Sequence, residues 1–149
     1  MKKWGLPILL FTAVAIGAFL LFAGLPNSQE VVSVEVTWDR LAQMDLGTGQ
    51  ASPELQKLNH QRIRVPGFMV PLEDQMHLVS EFLLVPSPQA CIHVPPPPSN
   101  QMIYVKMKNP VEAADGAIWV YGVLSLTSKK HMYGEASFEL VGQSVETYQ

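Results

Sequence analysis

One cysteine, Cys91, is all the thiol chemistry in this chain, so no disulfide can close within it. Charge is scarce as well, with ten basic and thirteen acidic residues in 149. The basic residues never gather into a patch or alternate with aromatics, which argues against nucleic acid as a partner. No internal repeat is visible, and the sole low-complexity run is four consecutive prolines. No basic residue occurs between Lys3 and Arg40, and no cysteine closes the apolar stretch that starts the chain, so lipid attachment there is excluded. With Lys2 and Lys3 set aside, eight basic residues face thirteen acidic ones, a net charge of −5 from residue 26 onward.

What the chain does have is that apolar stretch, Leu6 to Leu25, broken only by Pro7, Thr12 and small residues. Twenty residues rising ~1.5 Å each cross a hydrocarbon core ~30 Å thick. Lys2 and Lys3 precede it, so the positive end stays cytoplasmic and the remainder is exported. The segment reads as a signal anchor in the inner membrane or as a cleaved signal peptide. Leu21 and Phe22 sit badly at the −3 position of a cut after Ala23 or Gly24, which favours the anchor. Both readings put the rest of the protein in the periplasm. The expected organisation is a signal segment over 1–25, a polar spacer over 26–33 and one domain over 34–149. A single modest core is feasible at that length without covalent staples.

The domain opens with two helical signals. Thr37 is a plausible N-cap for Trp38 to Met44, with Asp39 in the first turn. Ser52-Pro53-Glu54 has the order of N-cap, N1 proline and acidic first turn, predicting a helix to about Leu58. Beyond that the texture is β. Arg62 to Val70 alternates polar and apolar around Pro66-Gly67, which predicts a bulge or sharp bend at a barrel corner. Glu81 to Val85, Met102 to Met107, Ala117 to Leu126 and Ser137 to Val141 are further strands. Ile118, Val120, Leu124 and Leu126 share one face, and Gly122 marks a point of curvature. A mainly β fold follows: a small curved antiparallel barrel of OB type, with short N-terminal helices. A sandwich requires about seven strands, and five or six are found.

The chemistry concentrates at Cys91-Ile92-His93, directly before Pro95 to Pro98. In an extended strand residues i and i+2 point to the same side, and the prolines add a stiff polyproline II arm. A thiolate and a neutral imidazole are natural ligands for Zn or Cu. Two ligands do not close a site, and His77, Glu73 and His131 are the further donors to consider. Cys91 also reads as a small buried hydrophobe, or as a nucleophile or redox centre. Glu73 also reads as a carboxylate capping a loop. The prolines read first as a structural arm and second as a ligand for proline-recognising domains, with Asn100 and Gln101 bonding backbone groups that the run leaves unpaired. Met44, Met69, Met76, Met102, Met107 and Met132 are expected in the core.

Three blocks carry a family resemblance: Val65 to Glu73, then Glu81 to Pro86, then Ala90 to Gln101. The pattern G-[FY]-x-V-P-L-E … FLLVP … CIHVPPPPxNQ resembles an uncharacterised family of bacterial exported proteins with a domain of unknown function. The resemblance covers about Trp38 to Leu126. One departure is Gln89, where the family tends to have glycine. The resemblance implies an envelope protein, linked to ABC-type envelope transporters and to zinc-related accessory proteins. Three functions are in view: a non-catalytic envelope accessory protein that binds a soft metal or serves transporter components, a thiol-dependent enzyme or redox protein using Cys91, and an OB-like adaptor without metal.

Overall fold

The computed structural model describes residues 32–73, 77–88 and 95–148. The segment Leu6–Leu25, and with it the anchor or signal peptide, lies outside the described residues. So do Met76, Gln89, Cys91 and His93. Among the described residues, no helix is long and apolar enough to cross a membrane.

The elements in chain order are β1 (Val34–Glu35), α1 (Trp38–Leu41), α2 (Pro53–Gln56), β2 (Arg62–Pro71), β3 (Leu78–Val85), a 3-10 turn (Ser99–Gln101), β4 (Ile103–Glu112), β5 (Ala117–Ser125), β6 (Lys129–His131), β7 (Gly134–Ala136) and β8 (Phe138–Thr147). The sheet runs β1-β2-β3-β4-β8-β5, and a further pairing of β2 with β5 closes five of these strands into a barrel. β8, last in sequence, inserts between β4 and β5, which is the Greek-key order of an OB barrel. All neighbours within the barrel are antiparallel except β4 and β8, which run parallel with Ile103 opposite Phe138. β6 and β7 form a separate hairpin inside the β5–β8 connection.

Period-two burial explains the closure. Ile63, Val65, Ile118, Val120, Leu124, Phe138 and Leu140 all point inward and are essentially dry. The expected corner at Pro66-Gly67 is where β2 changes neighbours: Ile63 and Arg64 face β1, whereas Phe68 to Pro71 face β3. β2 nevertheless stays one continuous strand. Gly122 and Gly142 stand opposite each other where the β5–β8 register shifts. A Cβ on Gly122 would lie 2.5 Å from the Val141 carbonyl oxygen, so the two strands approach as closely there as only glycine permits.

Both helices are shorter than the sequence implies, four residues each. Ser52 caps α2 as expected, its Oγ accepting the Leu55 N–H at 3.2 Å. Thr37 occupies the N-cap position of α1, but its side chain makes no capping bond. Leu41 and Leu55 are fully buried and join the main core. Of the expected core methionines, Met44, Met69, Met102 and Met107 are buried, whereas Met132, at the tip of the β6–β7 hairpin, is 73% exposed.

Candidate functional site

A second apolar cluster lies on the outside of the barrel. Leu83 and Val85 of β3, Met102 and Tyr104 at the start of β4, and Ala136 of β7 are buried together, with Phe68, Val70 and Leu72 packed against them. These residues alternate with the inward-facing ones, so they occupy the outer surface of β2, β3 and β4. In OB barrels the face of the second and third strands, here β3 and β4, is the recognition surface. The long β5–β8 connection reaches it: Ala136 joins the cluster, and Lys129 Nζ sits 5.3 Å from the centre of the Tyr104 ring, within cation–π range.

Polar groups converge at the edge of this ground. The cross-strand register puts Leu83 opposite Tyr104 and Glu81 opposite Lys106. The Tyr104 hydroxyl donates to Glu81 Oε2, and Lys106 Nζ is 3.0 Å from Glu81 Oε1. The Tyr104 bond and then Lys106 hold the Glu81 carboxyl below its ordinary range. Desolvation and the Glu81 charge push the Tyr104 phenol upward. The two shifts agree: the proton stays on the phenol and the carboxylate stays charged, as a charge-assisted bond requires. Glu139 of β8, opposite Tyr104, adds a further negative charge that raises the phenol.

Of the candidate metal ligands, Glu73, His77 and His131 are among the described residues. Glu73 Oε1 accepts the backbone N–H groups of Ser80 (3.1 Å) and Glu81 (2.8 Å). Those amides belong to the stretch where the β3–β4 register slips between Val79 and Glu81, so Glu73 satisfies donors at a bulge. His77 is exposed beside Leu78, Glu112 and Ala113. His131 closes β6, half-buried; its Nδ1 accepts the Tyr133 N–H at 3.2 Å. The neutral ring then carries its proton on Nε2, a buried atom with no partner among the described residues. Burial lowers the His131 pKa, which favours that neutral form. A metal at Nε2 would require the other tautomer and release of the Tyr133 N–H.

No three His, Cys, Asp or Glu side chains among the described residues are grouped as a metal site. Glu73, His77 and His131 therefore do not form a three-ligand group by themselves. Cys91 and His93 belong to the connection between β3 and β4, but lie outside the described residues. Sequence reasoning passed over Glu81, Tyr104, Lys106 and Lys129. The available signal was their place at outward positions of β3 and β4; their convergence depends on register.

The C-terminal end of the β3–β4 connection is firmly rooted. Asn100 is buried, and its Nδ2 donates to the carbonyls of Ala42 (3.2 Å) and Met44 (3.0 Å). The expectation that Asn100 serves the proline run is corrected: it ties the connection to the segment after α1. Ser99 accepts the Ser137 N–H at 2.9 Å, and their hydroxyls lie 3.0 Å apart, joining the proline arm to the start of β8.

Over residues 27–147 the chain matches the family described as "Protein of unknown function (DUF3299)". It belongs to that family. A crystal structure of a DUF3299 family protein from Pseudomonas aeruginosa PAO1 is similar, with 30% sequence identity and a TM-score of 0.64. The match covers 79% of this chain and 97% of that one. No match to the curated proteins was found. This DUF3299 chain thus shares its barrel with a solved relative, and its face of β3 and β4 is the place where geometry and electrostatics converge.

Proposed function

We propose that this DUF3299 protein is a non-catalytic accessory protein of the bacterial envelope, which works by binding through the outer face of β3 and β4. The observation that carries this reading is the Glu81–Tyr104–Lys106 network, flanked by Lys129, on the surface that OB barrels use for recognition. The apolar ground beneath is filled by the chain itself, and the exposed Lys106 and Lys129 beside Glu81 are fixed charges that orient a partner. The Lys2-Lys3 start followed by the Leu6–Leu25 run supports an inner-membrane attachment with the barrel in the periplasm. Components of an ABC-type envelope transporter are the partner class.

Within this role Cys91 and His93 bind a soft ion, Zn²⁺ or Cu⁺, in the connection that borders the same strands. Their i, i+2 spacing supports that role. Calorimetric titration of the reduced full-length chain is the test. Wild type is expected to bind one ion, and Cys91→Ser and His93→Ala to lose it. Equal binding by the variants refutes the metal part. A reporter fused after Gln149 that is active only in the cytoplasm refutes the envelope part. For the binding face, photo-crosslinkers at Lys106 and at the distant Lys57 are compared in cells, and equal capture at both sinks the assignment.

A further inference from the structure

The proline run is not used by the face just described, and its geometry points elsewhere. Pro98 has φ −59° and ψ 151°, polyproline II values, and its carbonyl accepts the Gln101 N–H at 2.8 Å. Proline's locked φ carries that conformation along the run, and a helix that repeats every three residues puts Pro95 and Pro98 on one edge; both are exposed, as is Pro96. Four residues at ~3.1 Å each make a stiff rod ~12 Å long. Such a rod loses little conformational freedom on binding and is recognised by grooves lined with aromatic rings.

The same chain carries a groove of that kind. Trp38 of α1, Phe68 of β2 and Tyr148 beyond β8 line it, with Pro66 and Pro86 between them. Its volume is about 250 Å³. That is smaller than the ~300–1,000 Å³ of small-molecule pockets, but of a size for ring-shaped side chains. Trp38 is held in place by its indole N–H, which donates to the Pro66 carbonyl at 2.6 Å. Tyr148 is 48% exposed, and Trp119 extends the aromatic surface with its ring centre 5.1 Å from that of Tyr148. None of Pro95 to Pro98 lines the groove of its own chain.

The rod is anchored next to the helix that supplies one wall of the groove. The hydrogen bonds of Asn100 fix the rod to the carbonyls of Ala42 and Met44, immediately after the helix that supplies Trp38. When one chain carries two complementary surfaces, a two-fold axis makes the two contacts between copies equivalent, closing the pair. We propose that the Trp38/Phe68/Tyr148 groove receives the Pro95–Pro98 rod of a second copy, so that two chains pair by reciprocal exchange of rods.

Light scattering of the full-length chain in detergent, over about 1–100 µM, tests this. Wild type is expected to dimerise. The rod variant Pro95→Ala/Pro96→Ala and the groove variant Tyr148→Ala are each expected to weaken pairing by about tenfold or more, with wild-type melting temperatures. A mixture of the two variants keeps one intact contact and is expected to pair better than either alone. Should Tyr148→Ala unfold, Tyr148→Leu takes its place. A synthetic peptide spanning Pro95–Gln101 supplies a readout independent of folding: it is expected to compete with dimerisation and to shift tryptophan fluorescence. A wild type that stays monomeric across the range overturns the proposal, as does a dimer indifferent to both variants and to the peptide. Peptide binding to a monomeric wild type assigns the groove to a foreign proline segment and likewise overturns the exchange.

Discussion

Replacing Gly122 by alanine is expected to damage the barrel more than any other single-methyl addition in it. The added Cβ would stand 2.5 Å from the Val141 carbonyl oxygen and 3.0 Å from Leu140 Cγ. Van der Waals contact for such atoms begins near ~3.5 Å, so relief demands about 1 Å of movement. The nearest obstacle is backbone, and that backbone belongs to β8, which is paired on both sides, to β4 and to β5. It cannot shift without straining two ladders. Overpacking of a well-filled core costs about 1–3 kcal/mol, and a backbone obstacle places Gly122→Ala at about 3 kcal/mol. For a domain of this size each kcal/mol moves the melting temperature by about 4 °C, so a loss of about 12 °C is expected. Gly142→Ala is the control. Its Cβ would meet the Met107 side chain, chiefly the thioether sulfur, and an unbranched flexible chain can swing away. About 1 kcal/mol is expected there. Thermal unfolding followed by circular dichroism measures both. If Gly122→Ala melts within about 3 °C of wild type, or if Gly142→Ala is the worse, the close-approach argument is wrong.

Other perturbations separate the remaining contributions. Asn100→Ala leaves the Ala42 and Met44 carbonyls without their donor and is expected to cost about 2 kcal/mol in chemical denaturation, whereas Gln101→Ala stays near wild type. Tyr104→Phe and Glu81→Gln are expected to be non-additive, with a coupling of about 1 kcal/mol in a double-mutant cycle; additive losses would deny their interaction. His60 holds φ at 61°, the left-handed region, so His60→Gly is expected to be neutral or stabilising while His60→Val loses about 1–2 kcal/mol. Acid should weaken the fold in two steps. His131 is more easily protonated when unfolded, so stability falls as pH drops below its ordinary value of 6.5 and levels off below its lowered native value. Glu81, depressed from 4.5, contributes stability that is present above that pH and lost as pH falls through its lower native value. His131→Gln should abolish the first step and Glu81→Gln should reduce the second, as read from denaturation midpoints against pH.

Local rules decided the inventory of elements. Period-two alternation placed β2 and β5 close to their observed spans and found part of β3 and β4, missing Leu78 to Ser80 of the one and Lys108 to Glu112 of the other, because alternation is written residue by residue only where one face is buried. Ser52-Pro53-Glu54 set the start of α2, and Gly122 announced curvature, for equally local reasons. Strand ends fared less well: β8 runs on to Thr147, since its polar outer half is held by pairing to β5 and not by burial. Pairing itself is a long-range event. That β8 lies beside β4 in parallel, that Glu81 meets Tyr104 and Lys106, and that Asn100 reaches back to Ala42 and Met44 are contacts across 23 to 58 residues. No local pattern encodes them, because register is chosen by the packing of the closed barrel as a whole. Cys91 and His93 show the converse. Their chemistry and spacing are written in the sequence alone, whereas the meeting of Glu81, Tyr104, Lys106 and Lys129 on the outer face of β3 and β4 exists only once the barrel has closed and the β6–β7 hairpin has folded against it.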